Sequence, residues 1–291
     1  MSRHALLLAL ALAVLAGPSE ALVFDDGGTH LVDTDLTGKE GGVTVNDGPG
    51  ATPTTVAVTS TLEQGAGVTG ISDLTLDGAT TGSSAFALDD ATLTVMHSDI
   101  GNDVYGNHRS TVTVHDVAVL NNIFALGYAE IDVSAATVGT PADTGGRNLY
   151  ANDSAFIRAH TGTVVLDDVF TNDMGTVVLE DVEVGQRIFA NGTSQIDILG
   201  GSIAEDIASN GESTLRIFGA DFAVDGSPVP LGAIAALSGT LTGELSDGSP
   251  LDVPFTRAET ATILLTEVPE PAAAALLVAG ALVLFGAGRR R

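Results

Sequence analysis

The sequence contains no cysteine and no tryptophan, and Lys39 is its only lysine. Without cysteine the chain can form no disulfide, no thiolate zinc site and no iron–sulfur cluster, and it has no thiol nucleophile. A body of roughly 250 residues without disulfides needs extensive burial of apolar surface to be stable. Valine, isoleucine and leucine are plentiful and recur in order, which excludes a disordered chain.

Basic side chains are also scarce. Residues 22–268 carry 35 acidic and seven basic side chains, which is a net charge of −28. Such a charge repels nucleic acid and anionic lipid, keeps a protein soluble and suits loose binding of divalent cations. We therefore expect no nucleic-acid partner and no resident cofactor, with loose Ca²⁺ binding as the one form of metal binding that the composition favours.

The N-terminus has the three parts of a secretory signal peptide. Arg3 lies in a positively biased start, residues 5–16 are an unbroken apolar run, and a small-x-small site ends at Ala21. Twelve apolar residues are too few to span a bilayer as a helix. Residues 1–21 are predicted to be a signal helix that is cleaved after Ala21, the alternative being an ordinary buried helix.

The C-terminus carries a second, more specific pattern. A charge-free stretch, residues 272–288, lies at the lower length limit for a transmembrane helix. By the positive-inside rule, the arginines that follow it hold the tail on the cytoplasmic side of the membrane. The motif before this stretch is Pro269, Glu270 and Pro271, and the basic cluster after it is Arg289, Arg290 and Arg291.

This tail resembles the PEP-CTERM sorting signal of Gram-negative bacteria, which has the same three parts in the same order. The resemblance covers about the last 24 residues and says nothing about the body. It implies that an exosortase, a membrane protease or transpeptidase, recognises residues 267–291 and cleaves near Pro269. It also implies an inner-membrane intermediate that is passed on to the cell surface or the extracellular matrix. A plain membrane anchor is the alternative.

Between the two ends the sequence repeats with a period near 19 residues. Apolar residues recur eight, ten and fifteen positions after each start, and apolar residues two positions apart are typical of a β-strand. One unit is too small to bury its own apolar face, so neighbouring units must stack. The seven units begin at Ala85, Val104, Ile123, Leu149, Val169, Ile188 and Ile207.

The repeat predicts an all-β fold, a single-stranded parallel β-helix or solenoid of about eight to ten coils, with a right-handed coil as the default. Regular coils are predicted for residues 85–225, and an N-terminal cap with irregular first coils for residues 22–84. Residues 226–266 are predicted to cap the other end of the stack. Residues 139–148 are predicted to protrude as a loop.

Two columns of side chains are predicted to run along the solenoid. Asparagines in the turn are expected to bond from coil to coil, as in other stacked strands. Aromatic rings are expected to stack inside the body, where they are unavailable for binding sugars. The asparagines are Asn107, Asn152, Asn172, Asn191 and Asn210, and the aromatic residues are Phe86, Tyr105, Phe124, Tyr150, Phe170 and Phe189.

Adjacent acidic residues are the strongest candidates for chemistry. On a β-helix such pairs bind calcium or cleave polysaccharide, provided that they converge at a turn. One pair resembles the paired acids of pectin-cleaving β-helix hydrolases, but the Gly-His-Gly and Arg-x-Lys segments of that group are missing. The simpler interpretation is solvated turns on a very acidic protein. The pairs are Asp89-Asp90, Asp167-Asp168 (the pectinase-like pair), Glu180-Asp181 and Glu205-Asp206.

Other candidate sites are weaker. The sequence has no serine nucleophile elbow and no phosphate-binding loop. Outward threonines that would suit ice binding, such as Thr92 and Thr94, are interrupted on the following coils by Asp132 and Arg158. The histidines do not reach metal-ligand spacing with a partner, and they are His97, His108, His115 and His160.

These patterns together predict an exported, non-catalytic component of the cell surface or of a biofilm matrix, with exopolysaccharide as a possible partner. We predict no catalytic, cofactor-binding or metal-binding residue. Two alternatives remain. A polysaccharide lyase or hydrolase on the same scaffold requires a groove lined by converging Asp, Arg or His side chains. An adhesin requires calcium between its acidic surface and a partner.

Overall fold

A computed structural model describes residues 21–37, 42–140 and 147–267, and within these ranges every regular element is a β-strand. The chain winds so that each turn adds a strand to three parallel sheets, called A, B and C here, and about ten coils are stacked. The predicted all-β parallel solenoid is confirmed. Its handedness stays a prediction, and the predicted signal and transmembrane helices lie outside the described residues, as does most of the predicted loop.

The strand bounds follow the repeat. Sheet A contains Leu22–Phe24, Val43–Val45, Ala66–Val68, Ala85–Ala87, Val104–Gly106, Ile123–Ala125, Leu149–Ala151, Val169–Thr171, Ile188–Ala190 and Ile207–Ser209. Sheet B contains Thr29–Val32, Thr55–Val58, Asp73–Asp77, Thr92–Met96, Thr111–His115, Glu130–Ser134, Phe156–Ala159, Thr176–Leu179, Gln195–Ile198 and the first half of Thr214–Val224. Sheet C contains Thr61–Leu62, Thr80–Thr81, Asp99–Ile100, Ala118–Val119, Thr137–Val138, Val164–Val165, Val182–Val184 and Gly201–Ile203.

Each strand pairs with the strand at the same repeat position in the next coil. Val95 is aligned with Val114, which is aligned with Val133, and all three are fully buried. Alternate residues of these strands point outward, so the interior is filled by two buried columns from sheet A, two from sheet B and one from sheet C. Burying one such side chain contributes about 1.5–3 kcal/mol. The core is thus a continuous stack along the axis, and at about 4.8 Å per coil the body is roughly 50 Å long.

The turn after each sheet A strand requires a left-handed backbone residue, and this explains one polar column of the repeat. Asp89, His108, Asp153 and Asp173 all have φ between 55° and 63° there. Four further coils place a glycine at the same position, with φ between 68° and 75°, and these are Gly70, Gly127, Gly192 and Gly211. Aspartate and glycine are among the residues that tolerate this conformation best, so the turn chemistry helps to set the register of the coils.

The predicted asparagine column is confirmed over four coils. The Nδ2 of Asn172 donates to the Oδ1 of Asn152 at 2.8 Å, and Asn191 and Asn210 each donate to the preceding asparagine at 3.2 Å. Asn107 does not join the column; its Oδ1 instead accepts the backbone N–H of His108 at 2.7 Å. The neighbouring coils carry leucine at this position, so Asn107 has no amide to meet.

The aromatic residues do stack, but the prediction that they lie inside the body is wrong. Ring centroids from Phe86 to Phe170 are 4.7–5.1 Å apart, with ring planes within 10° of parallel. In each strand the residues on both sides of the ring are buried, as Val104 and Gly106 are around Tyr105, whereas the ring residue is partly exposed. Since side chains alternate along a strand, the rings stand on the outer face of sheet A.

The C-terminal end of the stack is closed by a cap. Strand Thr214–Val224 continues from sheet B into the cap, where it pairs antiparallel with Ser238–Leu245. That strand pairs with Pro250–Arg257, which returns alongside Ile207–Ser209, while Thr262–Thr266 returns alongside the first half of Thr214–Val224. The short strands Ser227–Pro228 and Gly232–Ala233 complete the cap. The strand edges of sheets A and B at the C-terminal end of the stack are therefore paired.

Candidate functional site

Most carboxylates singled out in the sequence are bonded to a basic side chain of an adjoining coil. The Nε and Nη2 of Arg109 each donate to Asp90 at 2.6 Å, and this hydrogen bond lowers the pKa of Asp90 below its usual range. Asp89 lies 3.0 Å from the Nδ1 of His108. These two carboxylates therefore bind neighbouring side chains one coil away instead of converging on a shared ligand.

The pair that resembles pectinase acids is divided between two arginines. Arg147 donates to both oxygens of Asp167 at 2.9 and 3.1 Å, and the Nε2 of Gln186 adds a third bond at 2.9 Å. The side chains of Arg147 and Asp167 are only 16% and 13% exposed. Arg187 instead binds both oxygens of Asp168 at 3.2 Å. Each carboxylate is thus engaged by a guanidinium group of a neighbouring coil.

Glu180 belongs to a cluster that joins three coils on the outer face of sheet B. The Nδ1 of His160 lies 2.8 Å from Glu180 and its Nε2 lies 3.1 Å from Asp132. Arg158 is 3.7 Å from Glu180. Within residues 21–37, 42–140 and 147–267, no group of three or more His, Asp or Glu side chains is arranged to hold a metal ion.

The Glu205-Asp206 pair differs from the others, because the Oδ1 of Asp206 is buried without a hydrogen-bond partner among the described residues. The negative charge of Asp206 acts on Arg187 together with that of Asp168, and both raise the pKa of Arg187. The hydrogen bond that Arg187 donates to Asp168 is the main cause that raises the pKa of this arginine. Asp206 thus extends an acidic column beside a guanidinium group.

A groove of about 350 Å³ lies at the corner between sheets B and C. The small side chains of Ala118 and Ala135 leave this space open, and the polar groups at its rim are His97, Asp99 and Asp116. The Nδ1 of His97 is bonded to Asp77 at 2.9 Å outside the groove. The groove therefore combines one engaged imidazole with two exposed carboxylates.

The bond to Asp77 gives His97 a pH-dependent role in stability. It raises the pKa of His97 above 6.5, so the stabilising contribution is complete below pH 6.5 and is lost as the pH rises through the folded-state pKa. We expect His97→Gln to lower Tm slightly at pH 5.5 and to leave it unchanged at pH 8.5. The effect is small because both groups are exposed.

His115→Gln is the matched control for that measurement, because the Nδ1 of His115 is bonded to the hydroxyl of Ser134 at 2.9 Å and not to a carboxylate. Its Tm, measured at the same two pH values, gives the effect of removing an imidazole that is hydrogen-bonded to a hydroxyl. A His97→Gln variant whose deficit is as large at pH 8.5 as at pH 5.5 contradicts the assignment.

The aromatic column offers no platform for sugars even though it is on the outside. Each ring covers the face of the next, and the guanidinium of Arg187 lies 4.8 Å from the centroid of Phe189. A sugar stacks on a ring face, but only ring edges reach the surface here. Desolvation in this column raises the pKa of Tyr105 to about 12. The sequence predicted that the rings are unavailable for binding sugars. Stacking of the rings now supports this prediction in place of an interior position.

The residues predicted to govern sorting lie mostly outside the described ranges. These are Pro269, Glu270 and Pro271 and the terminal Arg289, Arg290 and Arg291. Ala21, the predicted cleavage residue, is partly exposed and directly precedes strand Leu22–Phe24. In the described part of the chain no helix is long and apolar enough to cross a membrane.

The geometry thus defines a capped parallel β-solenoid in which five of the six described arginines pair with a carboxylate of another coil. No protein-family model, no curated protein and no solved structure matches the chain.

Proposed function

We propose that this chain is an exported, exosortase-sorted component of the cell surface or of an exopolysaccharide matrix, and that its solenoid body is non-catalytic. The observation that carries the non-catalytic role is the pairing of its carboxylates. Asp90, Asp167 and Asp168 are each held by an arginine of another coil. These arginine-held carboxylates link neighbouring coils of the stack.

Sorting is supported by the two ends of the sequence. The signal-like start ends at Ala21, and the tail combines Pro269, Glu270 and Pro271 with an apolar stretch and a basic end. The last sheet strand, Thr262–Thr266, ends three residues before Pro269.

Mass spectrometry of the native protein from cell-surface and culture fractions tests this proposal. The expected mature chain begins at Leu22 and ends near Pro269, because both processing steps remove the segments outside these residues. A chain that still ends at Arg291 supports the plain membrane anchor instead and removes the exosortase from the proposal.

Calcium distinguishes the adhesin alternative. We expect Tm to change by less than about 1 °C when millimolar CaCl₂ replaces EDTA, because a calcium site needs several free oxygen ligands and many carboxylates here are already paired. The measurement is thermal unfolding by circular dichroism at pH 7, with MgCl₂ as the ionic control. A Tm that rises with calcium and not with magnesium favours the adhesin.

A further inference from the structure

A second groove, called the exit groove here, lies in the cap where the chain leaves the described fold. It has a volume of about 470 Å³, and Glu267, the last described residue, stands at its rim. Its apolar lining comes from two adjoining cap segments and consists of Phe222, Ala223, Pro228, Val229 and Leu231. Phe222 is buried, whereas Leu231 is 48% exposed, so part of this lining faces solvent.

Two acidic side chains line the exit groove. These are Asp221 and Glu267, and neither has a hydrogen bond or ion pair within residues 21–37, 42–140 and 147–267. Asp90 and Asp168 of the regular coils are, by contrast, each held by an arginine. An apolar floor beside two unpaired carboxylates fits an apolar segment that carries a basic group.

The position of the groove limits what can approach it. Thr266 is the last residue paired in a sheet, and Pro269 follows three residues later. Three residues span at most about 10 Å. Any enzyme that acts at Pro269, Glu270 and Pro271 must therefore come within about 10 Å of the cap, and the exit groove lies on its path.

We propose that the exit groove is a docking surface for an apolar, basic segment of the membrane-embedded enzyme that processes the tail. This inference rests on the proposed function and adds a recognition element in the folded body. An enzyme bound to the exit groove holds the Pro-Glu-Pro motif close to its active site. The second contact is then intramolecular, which raises the effective concentration of the motif at the enzyme. A lipid surface is the weaker occupant, since anionic headgroups repel Asp221 and Glu267.

The test compares two exposed leucines of the cap. Leu231 lines the exit groove, whereas Leu237 is 46% exposed and does not line it. Pulse-chase of the full chain, in cells that process the parent protein, measures conversion of the unprocessed form. Leu231→Glu is expected to slow conversion about tenfold, as for a central interface residue, and Leu237→Glu should match the parent.

A third variant covers the case in which Leu231→Glu alters folding. Asp221→Asn with Glu267→Gln removes only charge, and asparagine tolerates the left-handed backbone of Asp221, where φ is 53°. It should slow conversion about threefold, with an unchanged Tm. Parent-like rates for the folded groove variants, or equal slowing by Leu231→Glu and Leu237→Glu, overturn the inference alone. A parent chain that keeps its tail overturns the proposed function and the inference together.

Discussion

Phe255→Ala is expected to lower the free energy of unfolding by about 3–5 kcal/mol. Phe255 is 1% exposed and lies in the cap strand Pro250–Arg257, aligned with Ile207 of the last regular sheet A strand. Its ring covers the end of the aliphatic core, so alanine leaves a cavity where the stack meets the cap. Because each coil of a solenoid is stabilised by its neighbours, the loss weakens the adjoining coils as well.

Thermal unfolding followed by circular dichroism measures this effect, with an expected fall in Tm of about 10 °C. Leu237→Ala is the control, because this cap leucine is largely exposed and its truncation should change stability by less than about 0.5 kcal/mol. Equal Tm values for the two variants contradict the assignment of Phe255 as the central residue of the cap core.

The triple substitution Pro269→Ala, Glu270→Ala and Pro271→Ala is expected to abolish tail removal. The motif is the part of the tail that an exosortase is proposed to recognise, whereas the apolar stretch and arginines that remain still hold the chain in the membrane. The unprocessed form should therefore accumulate in the inner-membrane fraction. Mass spectrometry and immunoblotting of membrane, surface and culture fractions measure the outcome.

Pro250→Ala controls for the loss of an exposed proline of the cap outside the exit groove, and it should be processed like the parent. The triple variant should also keep the Tm of the parent body, since residues 269–271 follow the last sheet residue, Thr266. Release of the triple variant at the parent rate refutes recognition through this motif.

The solenoid could be predicted because each coil places the same requirements on its residues, and the sequence therefore repeats with the period of the coil. Residues spaced by one coil, such as Leu93, Val112 and Ile131, occupy the same buried site in successive layers. A parallel sheet in strict register imposes the same environment at each copy, so the sequence repeats with the coil. The asparagine column followed from the same logic and ended where leucine replaces asparagine.

The orientation of the aromatic column was missed because ring size was given more weight than alternation. Val104 and Gly106 are both small or aliphatic and flank Tyr105, and two inward neighbours require an outward residue between them. The rings occupy the outer face because the narrow interior is already filled by aliphatic side chains, while stacking buries most of each ring.

The ion pairs were also present in the sequence, at the period of the coil. Arg109 follows Asp90, and Arg187 follows Asp168, by 19 residues in each case. Adjacent acidic residues point in different directions. The partner of each one is therefore the residue one coil away and not its sequence neighbour. The exit groove had no comparable signal, because the cap leaves the repeat and its shape depends on how antiparallel strands meet the last coil.

The two ends of the stack differ in how their strand edges are treated. At the N-terminal end, Leu22–Phe24 and Thr29–Val32 each pair on one side only within the described residues, and Leu31 is 63% exposed. An open strand edge with apolar side chains invites a strand from another molecule. Exposed aspartates surround this edge, namely Asp25, Asp26, Asp33 and Asp35. Like charges on two copies repel each other across this edge, so the aspartates disfavour end-to-end joining of two solenoids.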